Sequence, residues 1–327
     1  MDTPLLPAPT DGPTTLPAPP LTSRARAYAR EAHAANTRRA YAADWTHFTT
    51  WCTDQALDAL PAAPETLALY LTAHADTHAL ATLRRRSIAV GQAHLLAGLA
   101  SPTRDPAVRL ILRGIARSKT EAGQNAHRAA PLLLDTLIRI LAQIDASTLL
   151  GARDNALLLL GFVGAFRRSE LVALDVSDIS FTTEGAIAHV RASKTDQEGR
   201  GFEKALPRAH RDFLCPVQAI HAWLSRADIT SGPLFRPVGK GGRLGTTRLS
   251  DRAVSLIIKR RAEAAGFDAE RFAGHSLRAG FVTEALIQGA SYAHVQRQTG
   301  HRSLATVGIY DRDEARFRNN AAIMLGL

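Results

Sequence analysis

The stretch Gly274-His275-Ser276-Leu277-Arg278 sets two chemically demanding side chains one helical turn apart. Positions i and i+3 share a helix face, so His275 and Arg278 can converge on one ligand. That ligand is not a metal ion, because His-x-x-Arg offers a single metal donor and no acidic partner at metal-site spacing. Upstream, Gly164-Ala165-Phe166-Arg167-Arg168-Ser169-Glu170-Leu171 puts two arginines at the end of an apolar helix. Alone, they need be no more than side chains snorkelling to solvent. Downstream come Thr299-Gly300-His301-Arg302-Ser303 and Ile309-Tyr310-Asp311, with Tyr310 nine positions after His301. A lone tyrosine near a C-terminus is ordinarily structural. The order of the set argues otherwise: an Arg, a Lys in a hairpin, His-x-x-Arg, Gly-His, and then Tyr.

The chain around these segments reads as mostly helical. From 249 onward short helices are punctuated by Gly274, Gly289 and Gly300. Ala186 to Ala192 alternates, with Ala188, Val190 and Ala192 on one face, which predicts a strand. It runs into the turn-rich Ser-Lys-Thr-Asp-Gln-Glu-Gly-Arg-Gly that holds Lys194, then a second strand, Phe202-Glu203-Lys204-Ala205-Leu206, closed by Pro207. Helices are expected at about 132–143 and 155–164, with Asp154 assigned as the cap of neither. The polar, small-residue segment 119–130, followed by Pro131, is the best linker in the chain. Residues 23–118 read as a helical domain. In it Trp45, Phe48 and Trp51 recur at i, i+3, i+6 and predict a packing face. A further helix begins near Ala81 and carries Arg84, Arg85 and Arg86, and another spans Ala107 to Arg117. Residues 1–22, with seven prolines, read as a disordered tail.

Bulk properties narrow the function. The 327 residues allow two domains, and 46% hydrophobic with 21% charged residues is the composition of a globular chain. A formal charge of +10 points to a polyanionic partner, nucleic acid before membrane. Two cysteines, Cys52 and Cys215, exclude a disulfide framework. The longest apolar run, Ala156 to Phe166, is far short of the roughly 18 residues of a membrane span. The N-terminus lacks a basic start followed by an apolar core, so a cytoplasmic location is expected.

Taken in order, Arg167, Lys194, His275-x-x-Arg278, Gly300-His301 and Tyr310 resemble the active site of the tyrosine recombinases, the phage integrase family. The likeness runs from about residue 30 to 315 and is most similar to the Cre-like branch. Gly123, Phe202-Glu203-Lys204-Ala205-Leu206 and Leu249-Ser250-Asp251-Arg252-Ala253 contribute to it. The resemblance implies a mostly α fold with a small antiparallel β-sheet in the catalytic domain. It also implies a two-domain DNA clamp, with a core-binding domain at 23–118 and a catalytic domain with C-terminal tail at 131–327. It makes Arg167 the first catalytic arginine, Glu170 its supporting acid, Lys194 the hairpin lysine, and His275 and Arg278 the central pair. His301 stands where the Cre-like branch can carry Trp, and Tyr310 becomes the nucleophile.

The implied chemistry suits these residue types. Guanidinium forks neutralise a phosphodiester, and a tyrosine with an ordinary pKa near 10 needs a partner for its proton. The implied acid for the leaving 5′ oxygen is Lys194. A 3′-phosphotyrosine keeps the energy of the broken bond, so no cofactor is expected, and no phosphate-binding Gly-x-x-x-x-Gly-Lys loop is present. Expected partners are double-stranded DNA with an inverted-repeat site and three further copies of the chain in a tetramer. Among Arg84, Arg85 and Arg86, one or two are expected to touch phosphate or bases and the rest to form a solvated face. Arg252 is expected at a base edge or a phosphate. The apolar end, 321–327, is expected to dock on a neighbouring protomer. A type IB topoisomerase and a non-catalytic DNA-binding regulator are the rival classes.

Overall fold

The protein is described from a computed structural model, which covers residues 35–124, 129–191, 201–301, 303–308 and 310. Lys194, the Pro-rich segment 1–22 and the apolar end 321–327 lie outside the described residues. Two compact units divide the chain, Met1–His127 and Arg128–Leu327.

The first unit contains helices α1 (Ala35–Asp54), α2 (Pro64–Ala73), α3 (Leu80–Leu96) and α4 (Pro106–Glu121). Pro64 and Pro106 open their helices, where a missing N–H costs nothing. The Asp105 carboxylate caps α4 by accepting from Ala107 N at 2.7 Å. Phe48, Cys52, Leu67, Tyr70, Leu71, Leu83, Val90 and Val108 form the core, and Trp45 and Trp51 pack against it partly buried. The aromatic row of α1 is therefore a packing face, as its spacing predicts. Helix α4 continues three residues past the expected boundary at 118, because a polar run also suits an exposed last helical turn.

Of the arginine triplet on α3, expected to divide between DNA contacts and a solvated face, Arg86 does neither. Arg86 is buried, with Nε 3.7 Å from Asp44, while Arg85 bonds the same carboxylate at 2.7 Å and remains half exposed. Consecutive helical residues point in different directions, so one member of the triplet necessarily faces the core. Arg84 stays exposed and lines a depression with Arg109 and Arg113 of α4.

In the second unit the order is α5 (Leu134–Ala142), α6 (Leu149–Val163), α7 (Arg168–Ala173), then strands β1 (Ile179–Phe181), β2 (Gly185–Val190) and β3 (Phe202–Pro207). Helices α8 (Pro216–Arg226), α9 (Asp251–Ala264), α10 (Ser276–Ile287), α11 (Tyr292–Thr299) and α12 (Leu304–Gly308) follow. The sheet is antiparallel in the order β1-β2-β3, with Ala188 opposite Ile179 on one side and Lys204 on the other. The mostly α fold with a small antiparallel sheet is thus present. Strand β1 is an addition to the hairpin that the alternation predicted.

Helix α6 is the spine of this unit, and Leu157, Leu158, Leu159, Leu160 and Phe162 are all buried in it. Each such side chain contributes roughly 1.5–3 kcal/mol of transfer free energy. The helix starts at Leu149, capped by the Thr148 hydroxyl, six residues before the expected start. Arg153 and Asp154 lie inside it, because Asp154 pairs with Arg153 at 2.6 Å and with Arg260 and Arg261 of α9 at 2.8 and 2.7 Å. Charges neutralised in this way can be buried within an apolar helix. Helix α10 is fixed by backbone contact with the segment before α5. Leu132 N donates to Ser276 O at 2.9 Å, and a β-carbon on Gly280 would lie 1.8 Å from Leu132 O.

Candidate active site

Helix α6 stops at Val163, and the chain reverses through Gly164 and Ala165, whose φ of 46° is left-handed. Phe166 is then buried and Arg167 takes the N-cap position of α7. The Glu170 carboxylate accepts from the Arg167 backbone N–H at 3.0 Å and from its guanidinium at 2.5 Å. Burial pushes the Glu170 carboxyl up, but the backbone and side-chain hydrogen bonds from Arg167 outweigh it, and the carboxyl titrates below its usual range. Glu170 therefore fixes the orientation of Arg167.

Arg278, one turn into α10, is fully buried. Its Nη1 donates to the Ala165 carbonyl at 2.8 Å, so the turn before Arg167 and helix α10 are joined through one peptide. Its Nε and Nη2 have no hydrogen-bond partner among the described residues. Burial, followed by the positive charge of Arg167, lowers its pKa to about 10, and it stays cationic at neutral pH. Buried guanidinium nitrogens without acceptors are costly, and an anion bound against them would satisfy both.

His275 and Tyr310 meet directly, with Nε2 2.5 Å from the phenol oxygen. Desolvation, then the fields of Arg278 and Arg167, lower the His275 pKa, so its imidazole is neutral near pH 7 and able to accept a proton. His301 also lies beside the phenol, with ring centroids 5.9 Å apart. Burial, then Arg278, Arg167, His275 and Lys204 in turn, depress it to about 4. Its Nδ1 is 2.8 Å from the Thr299 hydroxyl, which also reaches Val295 O at 2.7 Å. The Thr299 hydroxyl has a single hydrogen: given to Nδ1 it leaves the neutral imidazole to donate from Nε2, and given to Val295 O it takes the Nδ1 hydrogen instead, so this hydroxyl bears on which nitrogen of His301 carries the hydrogen. Tyr310 itself packs on a small apolar cluster of Val282, Leu286, Val295 and Val307.

The structure thus gathers Arg167, Glu170, His275, Arg278, His301 and Tyr310, six of the residues expected here. Arg252 is exposed in the first turn of α9. Two residues were missed by sequence reasoning, Thr299 and Lys204. Lys204 is fully buried, and its pKa falls to about 7 through burial, with Glu170 opposing and Arg278 and Arg167 adding. The signal was present in β3, where alternation places Lys204 on the same face as Phe202 and Leu206.

The phage integrase family profile matches residues 132–316. An integrase/recombinase xerD homolog from Selenomonas ruminantium is 39% identical over 304 residues, covering 92% of this chain and 88% of the relative. The recombinase cre of Escherichia phage P1 is 26% identical and covers 80% of each chain. Among solved structures, XerH recombinase bound to a palindromic difH substrate superposes with a TM-score of 0.56 at 18% identity, covering 81% of this chain and 73% of that one. A lambda integrase tetramer bound to a Holliday junction gives 0.54 at 18%, covering 90% and 81%; at such identity these two speak for the fold alone. The sequence matches decide the lineage: the chain belongs to the phage integrase family, the tyrosine recombinases.

Proposed function

We propose that this chain cuts and rejoins duplex DNA at a specific site through a 3′-phosphotyrosyl intermediate. The Tyr310 oxygen attacks the phosphorus, a P–O bond forms to the phenol, and the bond to the 5′ oxygen breaks. His275 accepts the phenol proton, and Lys194 gives a proton to the departing 5′ oxygen. Arg167, Arg278 and His301 donate to the phosphate oxygens, where charge grows in the transition state and each donor is worth on the order of 3 kcal/mol. Rejoining is the same exchange in reverse by a different 5′ hydroxyl, so no cofactor is needed. The observation that carries this reading is the contact between Tyr310 and His275 beside Arg278, whose two unpartnered nitrogens call for an anion.

The surrounding assembly extends the reading. Residues 23–118 form a core-binding domain, 119–130 a linker and 131–327 the catalytic domain, and the two domains clamp the DNA. Arg84, Arg85 and Arg252 contact it. Strand exchange takes place in a tetramer on inverted-repeat sites in the cytoplasm, with the C-terminal tail docking on the next protomer. Lambda integrase, a neighbour in fold, is solved as a tetramer on a Holliday junction, and the reading takes that arrangement over to this chain. Identity is 39% to a xerD homolog, against 26% both to cre and to the XerD of Yersinia pestis, so the chain is nearer that homolog than the Cre-like branch first expected.

The test is Tyr310→Phe on nicked duplexes. The variant is expected to bind DNA as the wild type does and to form no adduct that survives denaturant. An adduct retained by Tyr310→Phe would move the nucleophile elsewhere.

A further inference from the structure

Lys204 has no part in the chemistry just described, yet it sits at the junction of every element that presents it. From β3 its Nζ donates to Gly164 O at 2.7 Å and to Gln298 O at 2.8 Å, with Ala165 O at 3.4 Å. The rings of Phe166 and Phe202 flank it, with centroids 4.9 and 5.2 Å away. Gly164 and Ala165 form the turn that delivers Arg167. Gln298 belongs to the last turn of α11, two residues before Gly300 and three before His301. The Gln298 side chain closes the same junction from outside, donating to Val163 O at 3.0 Å and Ala205 O at 2.9 Å. Three elements are therefore tied by two residues, and the Ala165 carbonyl is shared by the Lys204 ammonium and the Arg278 guanidinium.

We propose that Lys204 is a positioning residue of the reaction: its ammonium holds the turn that aims Arg167 and anchors Arg278 at a fixed distance from the helix end that aims His301. It does not act on the phosphate, because its three hydrogens are directed at three carbonyls. Packing alone does not account for a lysine here. Buried charges are often replaced by apolar side chains of similar volume without loss of stability, whereas methionine would take this donor from the Gly164 and Gln298 carbonyls and leave Ala165 to Arg278 alone. The left-handed Ala165 belongs to the same argument, since a residue in a sparsely populated conformation persists only where its surroundings over-determine it. Lys204 and Arg278 supply that determination through its carbonyl. The low pKa of Lys204 agrees with a strained ammonium: once the proton is lost, two hydrogens and a lone pair face three acceptors, and the junction loosens.

The inference rests on the phosphotyrosine reading, and one experiment separates the two. Wild-type full-length chain is incubated with a pool of nicked duplexes of random sequence, and the molecules it links to itself supply the substrate. Lys204→Met, nearly isosteric, is then compared in single turnover. Adduct formation is expected to fall on the order of 100-fold, the scale on which small misplacement of reacting groups acts. Half-site binding in a gel shift should stay within about twofold. A substrate with sulfur at the 5′ bridging position should not rescue Lys204→Met, though it should rescue Lys194→Ala, since a thiolate leaves without a proton. Wild-type adduct formation on the sulfur substrate should decline as pH rises above about 7, and Lys204→Met should lack that decline. Gln298→Met, which keeps the carbonyl and loses both side-chain bonds, should slow cleavage about tenfold and add little to Lys204→Met; it serves alone if the lysine variant does not fold. Wild-type cleavage rates in Lys204→Met and Gln298→Met would overturn the positioning role, as would sulfur rescue, which would make Lys204 a proton donor. No adduct from the wild type would instead overturn the phosphotyrosine reading and the inference with it.

Discussion

Arg86 and Arg278 are both buried, one in each unit, and both leave guanidinium nitrogens short of an acceptor among the described residues. Their surroundings differ in charge. Arg86 has the Asp44 carboxylate 3.7 Å away. Arg278 has one carbonyl, while the nearest carboxylate, Glu170, is spent on Arg167. With Lys204 beside them, three cations share one carboxylate. A buried arginine with its own counter-charge holds a fold together; one that adds to an excess of positive charge is poised for an anionic ligand.

The comparison predicts opposite phenotypes. Arg278→Met should lower the rate of adduct formation by about 10²–10³, as loss of one transition-state donor does, with the melting temperature unchanged or raised. A fall in melting temperature with cleavage intact would put Arg278 in the structural class. Arg86→Met should do the reverse, costing on the order of 2 kcal/mol of stability in a denaturant titration while the adduct chemistry of the bound complex survives.

Within the second unit the same distinction extends to histidine. Thr299→Val removes the hydroxyl beside His301 Nδ1 and should slow cleavage about tenfold without loosening DNA binding. An unchanged rate would show that the His301 tautomer is not set by Thr299. The smallest effect is on stability in acid. His301 titrates at about 4 in the fold against an ordinary 6.5, so the unfolded chain takes the proton first. Its contribution is complete above 6.5 and is lost as pH falls from there towards 4. Replacing His301 with Asn should flatten that part of the melting-temperature profile.

The order of motifs made most of the site legible, because cations for a phosphate and a tyrosine for attack are residue types with few alternative explanations when they come together. The hairpin strands and the aromatic face of α1 were legible from their periods. Strand β1 was not, since three residues cannot display alternation. The start of α6 was misplaced because Arg153 and Asp154 looked like a solvent boundary, and their partners Arg260 and Arg261 are more than a hundred residues away in sequence. Lys204 was visible only as a strand residue for the same reason. Its meaning comes from the carbonyls of Gly164 and Gln298, and main-chain oxygens leave no mark in a sequence.

Tyr310 is held by a cluster of four buried aliphatic side chains, Val307 among them and two from α10, separate from the large core that supports the arginines. Helix α12 is five residues long, and Val307 is its only fully covered anchor. Lifting that short segment would expose little apolar surface, so it opens at a fraction of the cost of unfolding the unit. The enzyme can therefore be disarmed without being dismantled. On the proposed chemistry, withdrawing the phenol leaves Arg167, Arg278 and their supports in place, so DNA would be held by the cations while no nucleophile is within reach of its backbone.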